Sequence, residues 1–185
     1  ADDVRRMDRL ITDISELSRL DARIGRIRFQ TVDLGKLISS ILDLRQQRLN
    51  DDVPIAFARP ADGSVSVQGD PGQLTRVIEN LLDNAVSFSP PGGVVRIGAT
   101  GAADSALLTV DDDGPGIPPH LREAVFDRFH SNRAEEEFGQ HSGLGLAIAR
   151  TIVEAHGGTI SAEDGVEGRG ARMAVHLPFE PRHDG

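Results

Sequence analysis

Two asparagines, Asn80 and Asn84, lie four residues apart in the segment RVIENLLDNAVSFSP, residues 76–90. Residues four apart share one face of a helix, so both carboxamides would project on the same side. Asparagine is a poor helix former because its side chain competes for backbone hydrogen bonds. A carboxamide oxygen suits Mg²⁺, which takes few protein ligands beside substrate phosphates. The alternative is that both are half-buried, hydrogen-bonded asparagines with no ligand role.

Three glycine-rich segments carry further candidate contacts. DDDGPGI, residues 111–117, follows the apolar strand ALLTV and holds an acidic residue at a strand end, with glycines that permit close backbone approach. A carboxylate there could accept a hydrogen bond from an exocyclic amine, which adenine presents and guanine does not present at the same position. The alternative is an ordinary turn.

The other two glycine segments have simple alternatives as well. SGLGLAIA, residues 142–149, places Gly143 and Gly145 at a helix start, where free N–H groups and the helix dipole favour phosphate. Glycine pairs at helix starts are common and are weak evidence alone. EGRGA, residues 167–171, is typical of a hairpin between two strands.

The elements that must position these segments form a mixed pattern. The asparagine helix begins at Asp70 and Pro71, a cap followed by proline at the first position, and its apolar stripe comprises Leu74, Val77, Ile78, Leu81, Leu82 and Ala85. Other helices are predicted over residues 34–49 and 144–156. Strands are predicted within residues 25–34, 53–60, 64–70, 94–100, 106–111, 159–163 and 172–177. Without strict strand–helix alternation, the pattern favours an α+β fold, a two-layer sandwich of a mixed sheet on helices.

The first 24 residues form an amphipathic helical pattern with its apolar positions at Val4, Met7, Leu10, Ile11, Ile14, Leu17 and Ile24. Such a helix needs a partner. It either packs on its own domain or forms half of a helical hairpin in a dimeric bundle. The chain opens without Met, as we expect of an excised or processed fragment.

Composition limits the classes of protein. A length of 185 residues, with 38% hydrophobic and 26% charged residues, suits one globular domain with some appended structure. The net charge of −9 argues against a nucleic-acid-binding surface. The chain has no cysteine, which excludes disulfides and thiolate metal sites. A chain without disulfides is compatible with a reducing cytoplasm. No apolar run approaches the roughly 20 residues of a membrane span.

The order of the motifs resembles the ATP-binding catalytic domain of sensor histidine kinases, in the superfamily shared with DNA gyrase, mismatch-repair and heat-shock chaperone ATPases. The asparagine helix, DDGPGI, VFDRF, SGLGLAIARTIVEAHGG and GRGARMAVHLP carry the resemblance. NAVSFSP, residues 84–90, is further similar to ChvG-type kinases. The resemblance implies a C-terminal helix of a dimerisation domain plus linker at residues 1–28, a catalytic domain at 29–180 and a tail at 181–185.

The resemblance also implies ATP and Mg²⁺ as ligands. Asn84 would be the metal ligand, with Asn80 supporting the metal and phosphates as the second catalytic asparagine, and Asp112 would bind the adenine amine. The other implied nucleotide contacts are Ser87, Phe88, Gly114, Gly116, Ile117, Phe129, Arg133, Ser142, Gly143, Leu144, Gly145 and Leu146. Phe126 and Phe129 would anchor a polar lid at about residues 130–142, which we expect to order with nucleotide.

Two positions bear on the reaction. Ser87 stands where many of these kinases have Lys or Arg on phosphate, so the positive charge must come from elsewhere, with Arg128 and Arg133 as candidates. Related ATPases place a water-activating glutamate four residues before the metal asparagine. Here that residue is Asn80, which cannot act as a base, and Glu79 lies about 100° around the helix.

The resemblance therefore implies a protein-histidine kinase core of a two-component system, with a histidine upstream of this chain as acceptor. None of the 6 histidines lies in a motif such as H-E-x-x-[TR]-P, and His156 reads as a helix-end residue. Implied partners are ATP, the upstream phosphoacceptor helix and a response-regulator receiver domain, with no nucleic acid. We expect the full-length protein to be a homodimer anchored in the bacterial inner membrane, with this region on the cytoplasmic side. The alternatives are a noncatalytic nucleotide-sensing module and a hydrolysing ATPase of the same superfamily.

Overall fold

The computed structural model describes residues 27–48, 53–58, 65–101, 103–128 and 143–179. The helix predicted within residues 1–24, the lid predicted at residues 130–142 and the tail at residues 181–185 lie outside the described residues.

Strands and helices alternate irregularly along the described chain. In order they are β1 (Gln30–Asp33), α1 (Leu34–Arg48), β2 (Ile55–Ala58), β3 (Ser66–Gly69), α2 (Pro71–Phe88), β4 (Val95–Gly101), β5 (Ser105–Asp111), α3 (Gly145–Ala155), β6 (Thr159–Asp164) and β7 (Ala171–Pro178). Single turns of 3₁₀-helix lie at Pro119–Leu121, Ala124–Phe126 and Val166–Gly168. The elements predicted in these ranges are confirmed, with ends shifted by at most two residues except for β1, which occupies only the second half of the predicted 25–34 segment.

The main sheet is mixed and has the strand order β2-β4-β5-β7-β6. β2 runs parallel to β4, and the other neighbours are antiparallel. β1 and β3 form a separate antiparallel pair, a division that the strand patterns alone did not predict. The register places Asp111 of β5 opposite Arg96 of β4 on one side and Arg172 of β7 on the other.

The core lies between the sheet and the helices. Along β5 the buried residues Ala106, Leu108 and Val110 alternate with half-buried ones, as expected of a sheet with one covered face. The predicted apolar stripe of α2 is buried, and α2 and α3 pack against each other over this sheet. The two-layer α+β prediction is therefore confirmed. None of the helices in the described part of the chain combines the length and hydrophobicity that a membrane span requires.

Local capping positions the asparagine helix. The Asp70 side chain accepts a 3.1 Å hydrogen bond from the backbone N–H of Gln73, and Pro71 occupies the first helical position. This cap satisfies one of the free N–H groups at the helix start. The predicted start of α2 is thus confirmed.

Candidate functional site

Asn80 lies where α2 meets the start of α3. A Cβ built on Gly145 would be 3.7 Å from Asn80 Oδ1, which is an ordinary van der Waals contact, so Gly145 lies directly against the carboxamide. Asn80 Nδ2 is buried and has no hydrogen-bond partner among the residues that the structure describes. Buried polar atoms are normally paired, so this amide is not the fully bonded asparagine of the alternative reading. Two motifs that are about 65 residues apart in the sequence are therefore adjacent in space.

The other α2 residues predicted to contact the nucleotide or the metal are accessible. Asn84 is half-buried, and its side chain forms no hydrogen bond to any residue that the structure describes. Ser87 is half-buried and Phe88 is 36% exposed, while Glu79 is exposed on another side of the helix. Asn84 can therefore contact a ligand without first losing a protein partner.

Asp112 follows β5 directly and is 4% exposed. Its Oδ1 accepts hydrogen bonds from the backbone N–H groups of Gly114, at 2.8 Å, and Ala171, at 3.2 Å. Burial raises the pKa of the Asp112 carboxyl, and the two backbone donors partly oppose this. Its Oδ2 accepts no bond from the described residues, so one carboxylate oxygen is fixed and the other is available to a ligand donor.

The glycines of two loops allow the chain to pass close to Asp112. A Cβ on Gly114 would lie 2.7 Å from both Asp112 Oδ1 and the Phe88 carbonyl oxygen. Gly116 has φ +77°, and a Cβ there would lie 3.0 Å from the carbonyl oxygen of Gly170. The EGRGA segment is thus a hairpin, as predicted, but it also packs on the DDDGPGI loop. The sequence interpretation missed this second role of Gly170.

Among the residues that the structure describes, no side chain caps the start of α3. Gly143 has φ +70°, and Leu144 is the fully buried N-cap residue. Gly145 and Leu146 begin the helix. The N–H groups of a first helical turn favour an anion, and here that turn begins next to Asn80.

The aspartates on either side of Asp112 are paired with arginines from neighbouring strands. Asp111 accepts bonds of 2.7 Å and 3.2 Å from Arg172, and Asp113 accepts one of 2.9 Å from Arg96. The Arg96 hydrogen bond, joined by one from the Val94 N–H, holds the pKa of Asp113 below its usual value. Sequence reasoning missed both pairs, because they depend on strand register.

His156 ends α3 in a structural position. It is 2% exposed, its Nδ1 donates to the Ile152 carbonyl oxygen at 2.8 Å, and its Nε2 accepts from the Asp70 N–H at 3.1 Å. Burial lowers the pKa of His156, which suits the neutral ring that this pairing needs. The ring links the end of α3 to the cap of α2 and has no nitrogen left for chemistry.

Several predicted site residues lie outside the described residues: Phe129, Arg133 and Ser142, with the whole lid. Phe126 is buried at 4% exposure, with the Arg150 guanidinium 5.6 Å from its ring centre. Arg128 is exposed. In the ranges that are described, no three His, Cys, Asp or Glu residues cluster as metal ligands. A cation at this site would rely on amide, water and phosphate oxygens.

Comparisons with known proteins identify the family of this chain. Residues 69–181 match the family described as histidine kinase-, DNA gyrase B-, and HSP90-like ATPase. The chain is 41% identical to the sensor protein ChvG of Rhizobium meliloti over 191 residues, covering 97% of this chain and 33% of that protein. A mycobacterial sensor histidine kinase, MprB, has a similar solved structure, with TM-score 0.69 and 32% identity over 84% of this chain and 100% of that one.

A further solved structure, full-length ShkA in complex with AMPPNP, has TM-score 0.78 and 28% identity, covering 94% of this chain and 36% of that one. The chain spans about a third of the length of the curated relatives it matches. The matched region contains the asparagine helix, both glycine loops and the start of α3. The chain therefore belongs to the histidine kinase-, DNA gyrase B- and HSP90-like ATPase family, in the branch formed by sensor histidine kinases.

Proposed function

We propose that this chain transfers the γ-phosphoryl group of ATP to a histidine on a helix upstream of it, as the kinase core of a two-component sensor. One observation carries the proposal: the start of α3 lies against an amide of α2, Asn80, whose buried Nδ2 has no hydrogen-bond partner among the described residues. An amide can support phosphates but cannot take a proton from water. The γ-phosphoryl group is thereby kept for a better nucleophile.

The nucleotide would lie between Asp112, which would bind its base, and the start of α3, which would bind its phosphates. The Asp112 carboxylate, with Oδ1 fixed by two backbone donors, would accept a hydrogen bond from the adenine amine through Oδ2. Gly114, Gly116 and Ile117 would flank the base, with Phe88 beside it. The N–H groups of Gly143 and Leu144 and of the first turn of α3, which begins with Gly145 and Leu146, would hold the phosphates.

Asn84 would hold Mg²⁺, with Asn80 supporting the phosphate end. The residues fit this role because the Asn84 carboxamide is half-buried, forms no hydrogen bond within the described chain, and offers a neutral oxygen. When bound, the metal would supply neutralisation of phosphate charge. Ser87 adds no charge here, so cationic help would come from Arg128 or Arg133.

In the proposed reaction, an imidazole nitrogen of the acceptor histidine forms a bond to the γ-phosphorus. The bond from that phosphorus to the bridging oxygen breaks, and ADP leaves. Catalysis of such a transfer depends mainly on positioning and charge neutralisation. Residues 1–28 would help to form the bundle that brings the acceptor helix to residues 29–180, in a homodimer anchored in the inner membrane and facing the cytoplasm. A response-regulator receiver domain would then take the phosphoryl group.

The test supplies the missing nucleophile on a second chain. The 185-residue chain is incubated with γ-labelled ATP and Mg²⁺, alone and with a separate polypeptide that carries the upstream helical hairpin and its histidine. We expect no label on this chain by itself and acid-labile label on the added histidine. Asn84→Ala should abolish labelling, whereas the matched control Glu79→Ala, on the exposed side of the same helix, should leave most of it.

Two results would overturn the proposal. Rapid release of free phosphate without labelled histidine would show a hydrolase. Tight ATP binding that gives neither product, under conditions where sedimentation shows that the bundle has assembled, would show a nucleotide-sensing module.

A further inference from the structure

Three consecutive aspartates, Asp111, Asp112 and Asp113, have three different environments. Asp111 is the last residue of β5, and its side chain is 6% exposed. Asp113 is more accessible, with a side chain 32% exposed. Asp112, between them, has backbone donors but no cation bonded to it in the described chain. The two outer carboxylates are each matched by an arginine, and the central one is not.

The arginine that pairs Asp111 is part of a row of alternating charge across the sheet. Strand register aligns Arg96 with Asp111, Asp111 with Arg172, and Arg172 with Glu163. The side chain of Arg172 is 34% exposed, so the pair is buried mainly on the Asp111 side. A buried carboxylate that loses its partner is strongly disfavoured, whereas a paired one is tolerated.

This pair lies next to the backbone that holds Asp112. The Asp112 N–H donates to the Ala171 carbonyl oxygen at 2.9 Å, and the Ala171 N–H donates back to Asp112 Oδ1 at 3.2 Å. Ala171 directly precedes Arg172, as Asp111 directly precedes Asp112. The ion pair and these two hydrogen bonds therefore join β5 to β7 at consecutive positions.

The carboxylates of Asp111 and Asp113 change the pKa of Asp112 in the same direction. Burial is the largest cause of its raised pKa, and the negative charges of Asp111 and Asp113 raise it further. Arg172 and Arg96 neutralise those two neighbours, while Glu163, Glu167 and Arg169 act at longer range on the arginines and on Asp113. The α2 residue that packs on Gly114 beside Asp112, Phe88, is uncharged.

We propose that Arg172 is a positioning residue for nucleotide recognition: by pairing Asp111 it holds the adjacent Asp112 carboxylate ionised and in place for the adenine amine. The inference rests on the proposed role of Asp112. In this role Arg172 acts through Asp111 and Asp112 and not by contact with the nucleotide. It acts by cancelling a buried charge one residue from the recognition carboxylate.

The test is the pH dependence of ATP affinity, measured by calorimetry with the full chain between about pH 4 and about pH 8. Arg172→Met leaves the Asp111 charge uncompensated, so the pH midpoint of binding should rise by about one unit, with affinity falling up to about tenfold at pH values below the wild-type midpoint. Asp111→Asn leaves Arg172 uncompensated and should lower the midpoint. Titration of the nucleotide itself is common to all variants and cancels in the comparison.

Three further variants complete the design. Arg172→Lys retains the charge and should restore a midpoint close to wild type. Arg169→Met removes the same charge from the same hairpin, but its partner Glu167 is exposed, so the midpoint should not move. Asp112→Asn should weaken binding and abolish the carboxyl-dependent part of the profile.

The outcomes separate the inference from the function on which it rests. Shifts of opposite sign in Arg172→Met and Asp111→Asn support the inference. Weaker binding in both variants with an unmoved midpoint would show a merely structural ion pair and overturn it. If Arg172→Met does not fold, the direction of the Asp111→Asn shift decides alone. If Asp112→Asn binds ATP like wild type, the proposed role of Asp112 itself is wrong.

Discussion

Two glycines of one hairpin offer a controlled test of how closely the loops pack at Asp112. Gly168 and Gly170 have nearly the same left-handed backbone, with φ of +72° and +69°. A Cβ on Gly168 would meet nothing within 4 Å, whereas one on Gly170 would lie 1.7 Å from the Asp112 carbonyl oxygen. Alanine at either position carries the left-handed cost of roughly 1–2 kcal/mol. Only Gly170→Ala must also move the backbone of Asp112.

The difference between the two variants isolates that contact. Gly168→Ala should lower the free energy of unfolding by about 1–2 kcal/mol and leave ATP affinity unchanged. Gly170→Ala should lose a further 1–3 kcal/mol, roughly the cost of overpacking, and should bind ATP at least about tenfold more weakly because the Asp112 carboxylate is displaced. Urea unfolding and calorimetry measure the two effects. Equal losses of stability in the two variants, or unchanged ATP affinity in Gly170→Ala, would refute the close packing of these loops.

Three other predictions concern single side chains. In Asp112→Asn an NH₂ group replaces one carboxylate oxygen, so the side chain cannot accept from both the backbone donors and the adenine amine. ATP affinity should therefore fall roughly tenfold to a hundredfold. Calorimetry that showed equal binding of ATP and GTP by the wild type would contradict this role of Asp112. Asn84→Ala should remove the gain in ATP affinity that Mg²⁺ provides, measured with and without a chelator, and an unchanged gain would place the metal elsewhere. His156 has a lowered pKa in the folded chain, so its contribution to stability should be complete above about pH 6.5, the value for the unfolded chain, and should decline as the pH falls below it. Urea unfolding below about pH 6.5 should show a falling free energy of unfolding in the wild type and not in His156→Gln. If the free energy of unfolding changed equally with pH in both proteins, His156 would be excluded as the source of the decline.

The sequence predicted the local elements and the type of site, because both depend on short-range patterns. Helical spacing identified the buried stripe of α2, the Asp70–Pro71 pair identified its start, and the apolar run ALLTV identified β5. The order of the asparagine helix and glycine segments identified the family, as the match over residues 69–181 confirms. The residues proposed as ligands, Asn84 and Asp112 among them, remain predictions for the experiments above.

Only the tertiary structure decided which distant residues meet. The contact of Asn80 with Gly145 depends on how α2 packs on α3, and the pairing of Asp111 with Arg172 depends on the register of β5 and β7. No short-range pattern contains this information, because a register shift of one residue would send every side chain of a strand to the opposite face. The sequence by itself thus determined the elements and the chemistry available to them. The packing of two helices and the register of three strands decided which aspartates pair with an arginine and which one has no cation bonded to it among the described residues.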